Sequence, residues 1–389
     1  TLHGFGLRAE ADLRERKARL RRTAPWRDRE GQRRVRKVLA LSRVTLGADV
    51  AVTSVVLQRA RELFPQAQRV LLAPAKAQEL FGGDSSLAIR SVPYRSGTLL
   101  ERLDGWREVL TAVQEELRGL SPPEYLVLDP DSRYLQLGLL PALREESRYY
   151  FFESRRAGGE GPQPLSLLAG EWMNQMFGGD ATPRPAVSLR GQDADSGRRL
   201  RRRLRAGGAK RIVAVSFGVG GNPGKRLPDP FEAELVARLL QSGETVVLDQ
   251  GAGEEEGERA RRLAGAIERH GWKVTNLRAE ALGEDLSPLS GALLTWQGGI
   301  GSWAGLINAS DEYIGYDSAS QHIAAALGIP TISIFSAGTT ERFRQRWRPV
   351  GAGAVRVIVE PERTRGDSVQ KTLAETMRAH QEFQTTTGR

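Results

Sequence analysis

Short apolar runs alternate with longer amphipathic stretches along most of the chain, and this alternation predicts strands and helices in turn. In the first half, helix-spaced apolar positions separate five apolar runs, at residues 36–42, 70–73, 88–92, 125–128 and 149–152. Strands that alternate with helices are typical of parallel sheets. The pattern therefore predicts an α/β fold.

The alternation stops between about residues 179 and 208, where Gly, Pro, Asp and Arg predominate, and a second series follows from 211 to 359. A chain of 389 residues also exceeds what one apolar core usually fills. We therefore predict two Rossmann-like, doubly wound domains with flanking segments. The predicted parts are a basic N-terminal arm (1–34), an N-terminal domain (35–190), a linker (191–208), a C-terminal domain (209–367) and a last helix (368–389) that packs back on the N-terminal domain.

Positive charge is concentrated near the start of the sequence. Residues 1–37 contain thirteen Lys or Arg against five Asp or Glu, whereas the whole chain has a formal net charge of +10. A basic arm on a nearly neutral body favours an anionic partner, either a membrane surface or nucleic acid. A solvated helix without any partner would explain the same charges.

Composition limits the class of protein. The chain has no Cys, which excludes disulfides, thiolate metal sites and a Cys nucleophile. No apolar run approaches eighteen residues and the Arg-rich start does not resemble a signal peptide. We expect a cytoplasmic protein that could contact the inner face of the cytoplasmic membrane peripherally.

The strongest chemical signal lies in residues 311–335, which predict a strand, a turn, a short helix and a buried strand. In a parallel sheet this turn lies at the carboxyl ends of the strands, where the first N–H groups of the helix can bind a diphosphate. Asp317 and Ser318 begin the predicted helix, and His322 lies one turn further on the same face. A capped helix with a packed histidine is the alternative.

A second such turn spans residues 217–228 and contains four glycines, among them Gly220 and Gly221. Glycines allow backbone N–H groups to surround an anion, and Lys225 adds a positive charge. The loop lacks the Ser or Thr that follows Gly-Lys in a P-loop. It predicts phosphate binding, or else a flexible turn with a solvated lysine.

Two further glycine turns follow predicted strands in the same domain. One passes from Gly251 to three consecutive acids at 254–256. These acids either cap a helix or include a carboxylate that holds ribose hydroxyls. The other turn, at 296–302, contains Gln297, which we place near a base or sugar.

In the N-terminal domain, Asp49 lies between the first predicted strand and the first predicted helix. A carboxylate there could remove a proton from an acceptor hydroxyl, or it could simply cap the helix. Asp129 and Asp131 have the Asp-x-Asp spacing of a metal site, but Pro130 and Arg133 suit a turn better. No His/Glu cluster with metal spacing occurs in the sequence, so we expect neither a metal nor a cofactor.

These motifs together resemble glycosyltransferase family 9, the lipopolysaccharide heptosyltransferases and their relatives, over residues 36–385. Residues 46–49 are similar to the family's Leu-Gly-Asp turn, with Ala48 inserted before the aspartate. Lys225-Arg-Leu-Pro228 is similar to its Lys-x-Trp-Pro segment, and residues 317–322 are similar to its Asp-(Ser/Thr)-Gly-x-x-His. The resemblance implies the GT-B architecture, in which two Rossmann-like domains face each other across a cleft.

The resemblance also implies roles for individual residues. Asp49 would be the catalytic base of an acceptor domain. In a donor domain, the diphosphate would be bound by Lys225, Gly220, Gly221, Asp317, Ser318 and Ala319. Glu255, which follows Lys225 at the spacing of the family's ribose-binding glutamate, would bind the nucleotide together with Gly251 and Gln297, and His322 would be a further site residue.

The implied activity is an inverting, metal-independent transfer of a sugar, heptose or related, from a nucleotide-diphosphate donor. The acceptor would be a hydroxyl of a glycolipid or cell-surface polysaccharide precursor, as in lipopolysaccharide biosynthesis, and nucleic acid is not an expected partner. Two alternatives stay open. One is a basic protein that binds nucleic acid or a membrane surface on an α/β scaffold, and the other is a GT-B-like sugar-nucleotide epimerase or hydrolase.

Overall fold

The computed structural model describes residues 2–278, 288–289, 292–362 and 367–387. The chain divides into two compact units, Thr1–Ala186 and Val187–Arg389. Each unit contains one parallel sheet, which confirms the α/β prediction of two Rossmann-like domains. Among the residues so described, no helix has both the length and the apolar character needed to cross a membrane.

The first unit is built on a five-stranded sheet in the order β3-β2-β1-β4-β5. Its strands are β1 (Lys37–Leu41), β2 (Gln68–Ala73), β3 (Leu87–Ser91), β4 (Tyr125–Asp129) and β5 (Tyr149–Phe151). Its helices are α1 (Glu10–Leu20), α2 (Arg29–Arg33), α3 (Leu46–Ala48), α4 (Ser54–Leu63), α5 (Ala77–Phe81), α6 (Leu99–Glu116) and α7 (Leu165–Phe177). Every residue of β4 and all but one of β1 are buried, so both faces of the central strands are covered and their sequences are mostly apolar.

The basic N-terminal segment is docked on the first unit. Arg16 of α1 is 1% exposed; its Nη1 donates to the carbonyl of Gly138 at 3.0 Å, and the side chain forms an ion pair with Glu146. Arg21 forms a second ion pair, at 2.7 Å, with Glu153. Part of the positive charge of the predicted basic arm is therefore paired within the first unit, with acidic partners more than a hundred residues away that a count of charges within the segment does not reveal.

The second unit contains a seven-stranded sheet in the order β12-β11-β10-β6-β7-β9-β8, again with parallel neighbours throughout. Its strands are β6 (Ile212–Ser216), β7 (Thr245–Asp249), β8 (Val274–Arg278), β9 (Leu293–Gln297), β10 (Glu312–Tyr316), β11 (Thr331–Phe335) and β12 (Val355–Val359). Its helices are α8 (Gly191–Ala206), α9 (Phe231–Gln241), α10 (Glu254–Arg269), α11 (Ile300–Asn308), α12 (Ala319–Ala326), α13 (Glu341–Trp347) and α14 (Ser368–Thr387).

The predicted linker at 191–208 is a packed helix, α8. It crosses α11 so closely that a Cβ on Gly197 would lie 1.9 Å from the carbonyl oxygen of Gly305. Only a residue without a side chain allows the two backbones to approach to this distance. The linker prediction failed because α8 has a narrow buried face and an Arg-rich outer face, so its composition resembles that of a loop.

The C-terminal helix α14 packs on the second unit, whereas we expected it to pack on the first. Its residues Leu373, Met377 and Phe383 belong to the apolar core that also contains strands of the seven-stranded sheet. On its buried face, His380 lies between Glu312 at the start of β10 and Glu244 just before β7, with Nδ1 2.8 Å from Glu312. Apolar and ionic contacts together hold the helix against this sheet.

Candidate functional site

The predicted donor-site residues lie at one edge of the seven-stranded sheet. Because its strands are parallel, the loops after β6, β7, β9, β10 and β11 all leave from their carboxyl ends. Lys225 lies in the loop after β6, Glu255 in the first turn of α10, Gln297 at the end of β9 and Asp317 in the turn after β10. The topology therefore gathers residues that are up to 92 positions apart in the sequence, the separation of Lys225 and Asp317.

Lys225 and Asp317 are in direct contact. The Nζ atom of Lys225 lies 2.6 Å from Oδ2 of Asp317 and donates to its carbonyl oxygen at 3.0 Å. The other carboxylate oxygen of Asp317 accepts a hydrogen bond from Gln321 at 2.7 Å, one turn into α12. The loop after β6 is thus tied to the start of α12, and the ammonium is held at that point.

The start of α12 has the geometry of an anion site. Ser318 is the N-cap residue with extended dihedral angles (φ −147°, ψ −176°), and its hydroxyl makes no capping bond. Ala319 is the first helical residue, and the first N–H groups of a helix have no acceptor within it. An anion placed beside Lys225 would therefore meet backbone N–H groups and the positive end of the helix dipole.

Gly220 and Gly221 shape the loop after β6. Their φ angles are +60° and +80°, a region that favours glycine, whereas a Cβ on either would meet no atom within 4 Å. They are therefore required for the path of the backbone and not for close packing. The loop is anchored at its far end by Ser336, which donates to the carbonyl of Gly224 at 2.8 Å.

Of the three consecutive acids, Glu256 is the one that faces the loops. Its Oε1 accepts from the N–H of Val219 at 3.0 Å and its Oε2 from that of Ala252 at 3.3 Å. A Cβ on Gly251 would lie 2.4 Å from Oε2, so this close approach requires glycine at that position. Glu256 therefore joins the loops after β6 and β7, a role that spacing along the sequence did not reveal.

Glu255, which the sequence favoured for ribose binding, has a side chain that is 76% exposed. It forms an ion pair with Arg226 at 2.6 Å, and the hydrogen bond from this guanidinium lowers the pKa of Glu255. Arg226 and Glu256 both line a small pocket next to β7, together with Phe217 and Gly251. Glu255 thus lies beside the pocket and not among the residues that line it.

Asp249, the last residue of β7, is a site residue that sequence reasoning missed. It lines the same pocket, accepts from the Ser216 hydroxyl at 3.1 Å, and accepts from the N–H of Gly251 at 3.1 Å. Burial raises the pKa of Asp249 to about 6, and the nearby negative charge of Glu256 adds to this effect. The sequence did contain a signal for Asp249, because an acidic residue follows the apolar run at the carboxyl end of a predicted strand.

Gln297 and His322 are also predicted site residues, and their surroundings differ. Gln297 ends β9 with an exposed side chain, two strands from β6 and therefore roughly 10 Å away across the sheet. His322 is 5% exposed and packs edge-on against Trp347, with ring centroids 6.0 Å apart. Burial lowers the pKa of His322 to about 4, so this imidazole is neutral at pH 7 and serves as a packed core residue.

Asp49 lies in a π-helical turn, Asp49–Thr53, between α3 and α4. A π turn contains one residue more than an α turn, which accommodates Ala48, the residue inserted relative to the Leu-Gly-Asp pattern. The Asp49 side chain is fully buried. Its carboxylate accepts from the Ser42 hydroxyl (2.6 Å), the Arg43 N–H (2.7 Å) and the Thr53 hydroxyl (2.7 Å).

Burial raises the pKa of Asp49, and these three donors oppose the increase. For Asp49 to act as a base, an acceptor hydroxyl must replace one of the donors. The Ser42 hydroxyl is the one most easily displaced, because Oδ2 has no other donor while Oδ1 has two.

Asp129 and Asp131 are occupied by protein donors. Asp129 accepts from the Tyr149 hydroxyl and the N–H of Ser132, and burial raises its pKa to about 7. Asp131 accepts from the Ser154 hydroxyl. Within the described part of the chain, no group of three or more His, Asp or Glu side chains is arranged to hold a metal ion.

A segment of this chain matches a family model, and the fold of the chain matches those of solved structures. Residues 292–376 match the family model of glycosyltransferase family 9 (heptosyltransferase). The chain is similar to a family 9 glycosyltransferase from Veillonella parvula DSM 2008, with a TM-score of 0.63 and 13% identity over 90% of this chain and 97% of that one. A comparison with curated proteins gives no significant match.

Two heptosyltransferase structures from E. coli are also similar. ADP-heptose lps heptosyltransferase II has a TM-score of 0.62 and 14% identity, over 91% of this chain and 100% of that chain. Heptosyltransferase WaaC, solved with ADP, has a TM-score of 0.52 and 15% identity, over 87% of this chain and 99% of that chain. The matched segment shows that residues 292–376 resemble glycosyltransferase family 9, and the structural matches show that the chain shares the GT-B fold of these proteins.

Proposed function

We propose that the protein transfers a sugar, heptose or related, from a nucleoside-diphosphate donor to a hydroxyl of a glycolipid or polysaccharide precursor, with inversion and without a metal ion. The observation that supports this most strongly is the contact between Lys225 and Asp317 at the start of α12. It places an ammonium group, unpartnered helix N–H groups and a glycine loop at one sheet edge. This set of groups suits a diphosphate.

The second unit would bind the donor and stabilise the leaving group. As the bond between the anomeric carbon and the diphosphate oxygen breaks, negative charge increases on that oxygen. Lys225 and the N–H groups at Ala319 both lie at the start of α12, so they would stabilise this charge with little reorganisation. The ion pair with Asp317 limits the positions that the Lys225 side chain can take.

The first unit would supply the base. The acceptor oxygen forms the new bond to the anomeric carbon on the side opposite the diphosphate, and its proton moves to Oδ2 of Asp49. The leaving diphosphate retains the electrons of the broken bond. Lys225 and the helix N–H groups take the place that a divalent cation fills elsewhere, so turnover should persist in EDTA; loss of activity that Mg²⁺ or Mn²⁺ restores would contradict the metal-free mechanism.

Nucleotide binding tests the proposal directly. We expect one of the four diphosphates ADP, UDP, GDP and CDP to raise the melting temperature, since a ligand at 100 times its Kd adds about 2.7 kcal/mol of stability. Lys225→Ala should remove most of this shift. Lys210→Ala is the matched control, because Lys210 is exposed just before the opposite end of β6. If no nucleoside diphosphate changes the melting temperature of the intact chain, the proposal fails.

A further inference from the structure

A surface of the first unit combines an aromatic ring with several cations. The segment that contains Trp26 and α2 lies on the C-terminal end of α7. The N–H of Trp26 donates to the carbonyl of Met176 at 2.7 Å, and the Gln32 side chain donates to that of Phe177 at 3.1 Å. These bonds fix the segment on the domain, so the side chains that it presents outward have defined positions.

Four arginine side chains contribute to this surface. Arg27 and Arg29 each have an Nη atom 3.1 Å from where a Cβ on Gly178 would stand, so these two atoms are closer to each other than the Debye length of about 8 Å. Arg33 follows Arg29 by one turn of α2 and lies on the same face. Arg148 lies over the Trp26 ring, 4.2 Å from its centroid. We call Trp26, Arg27, Arg29, Arg33 and Arg148 the Trp26 patch.

Within the described residues, the four guanidinium groups of the Trp26 patch form no ion pair, although Asp28 and Glu30 lie between them in the sequence and the charge of Arg148 acts on Glu145. In residues 2–278, 288–289, 292–362 and 367–387, none of its four Arg side chains has a carboxylate oxygen within 4 Å, whereas Arg16, Lys17 and Arg21 of the same N-terminal segment all do. Arg27 donates only to a backbone carbonyl in the last turn of α7, at 3.3 Å. Like charges that converge and form no ion pair favour an external anion.

We propose that the Trp26 patch docks the protein on an anionic lipid surface. Each basic residue near anionic headgroups contributes about 1 kcal/mol. The half-buried indole of Trp26, with Arg148 on its face, has the amphipathic character of side chains that sit at the boundary between headgroups and hydrocarbon. A surface that binds only the phosphodiester backbone of a nucleic acid needs positive charges but no such ring, so Trp26 favours the lipid surface. The proposal does not depend on the donor nucleotide or on the transfer reaction.

Sedimentation with vesicles tests the docking. The full chain should bind vesicles of phosphatidylcholine with 30 mol% phosphatidylglycerol, should not bind vesicles of phosphatidylcholine alone, and should be released by 0.5 M NaCl. The triple variant Arg27→Gln, Arg29→Gln, Arg33→Gln should bind at least tenfold more weakly. The matched control is Arg261→Gln, Arg262→Gln, Arg269→Gln, which removes the same charge from exposed positions of α10 and should change binding less than twofold.

A second variant protects the test against a folding defect. Arg29→Gln with Arg33→Gln leaves Arg27 on the last turn of α7, so its melting temperature should equal that of the intact chain while vesicle binding still falls. The nucleotide-induced thermal shift should be unchanged in all these variants. The proposal is overturned if the intact chain does not bind the anionic vesicles, if both triple variants lose binding equally, or if duplex DNA displaces the protein from vesicles.

Discussion

The Lys225 ammonium lies 5.6 Å from the ring centroid of Phe343, a residue of α13. The same ammonium forms the ion pair with Asp317, so it is held between a carboxylate and the face of an aromatic ring. The ring attracts the cation without neutralising it. Phe343 therefore contributes to the position of Lys225 without adding a second negative charge beside it.

Replacing Phe343 tests this positioning role. Phe343→Leu keeps an apolar side chain but removes the ring, so nucleoside-diphosphate affinity should fall by the factor of about 2 to 5 that corresponds to roughly 0.5–1 kcal/mol. Phe343→Tyr keeps the ring and should restore the affinity. Isothermal titration calorimetry measures both. If the Leu and Tyr variants bind equally, the aromatic contact has no role in positioning Lys225.

Substitution of Asp49 should separate catalysis from donor binding. Asn at this position keeps one oxygen for the Arg43 N–H and the Thr53 hydroxyl, and the Ser42 hydroxyl can rotate to accept from the new amide. The fold should persist while turnover falls about 10²- to 10⁴-fold, the usual contribution of a general base. Transfer rate and nucleotide affinity should be measured on the same preparation.

Because burial raises the pKa of Asp49, activity of the intact enzyme should fall with decreasing pH at a midpoint above the ordinary Asp value of about 3.9. Activity should fall at low pH because Asp49 can act as a general base only when its carboxyl group is deprotonated. Unchanged turnover in Asp49→Asn would remove Asp49 from the mechanism.

Glu255 and Glu256 should respond differently to the same conservative change. Glu255→Gln removes an exposed charge next to the pocket, so it should leave the stability of the fold unchanged. If Glu255 holds the ribose, this variant should bind ADP more weakly while its affinity for 2′-deoxy-ADP changes less. If another base binds, the corresponding pair of diphosphates replaces these two. Glu256→Gln weakens the acceptor for the N–H groups of Val219 and Ala252 and should destabilise the fold by about 1–3 kcal/mol.

Chemical denaturation and nucleotide titration distinguish these two outcomes. If Glu256→Gln abolishes the preference for ribose and Glu255→Gln does not, the ribose contact belongs to Glu256.

The attachment of α14 should depend on pH through His380. Two carboxylates, Glu244 and Glu312, lie near the imidazole together with Arg211, so the cluster is balanced only when His380 is protonated. Contacts with Glu244 and Glu312 outweigh burial and raise the pKa of His380 to about 9. A raised pKa stabilises the fold fully below the unfolded value of about 6.5, and this stabilisation is lost as the pH rises through 9.

The free energy of unfolding of the intact chain should therefore decrease between pH 7 and 9.5. His380→Gln should be less stable at pH 6.5 and should show a flatter profile, which converges with that of the intact chain near pH 10. Parallel profiles for the two proteins, measured by urea denaturation, would show that His380 is not the titrating group.

Local patterns predicted much of the fold correctly. The strands around Ala40, Val127 and Ile314 lie in continuous apolar runs, and each is a buried strand in the structure. The turn at Asp317 and the glycine loop before Lys225 were also predictable, because a strand-turn-helix unit is encoded within about twenty neighbouring residues. Parallel topology then required both turns to lie at the same sheet edge.

The errors concern elements whose environment is set by distant residues. α8 was mistaken for a linker because its contact with α11 joins Gly197 to Gly305. The ion pairs of the basic N-terminal segment were not predicted, because their acidic partners, such as Glu146, are far away in the sequence.

The sequence by itself determined the two α/β domains and the loops that carry the candidate donor-site residues, because periodicity and turn chemistry act between near neighbours. Only the tertiary structure decided that Glu256 faces the pocket while Glu255 points to solvent, that Asp49 is fully buried, and that α14 joins the second unit. These outcomes depend on burial and on contacts between residues far apart in the chain, and such contacts exist only after the sheets have assembled.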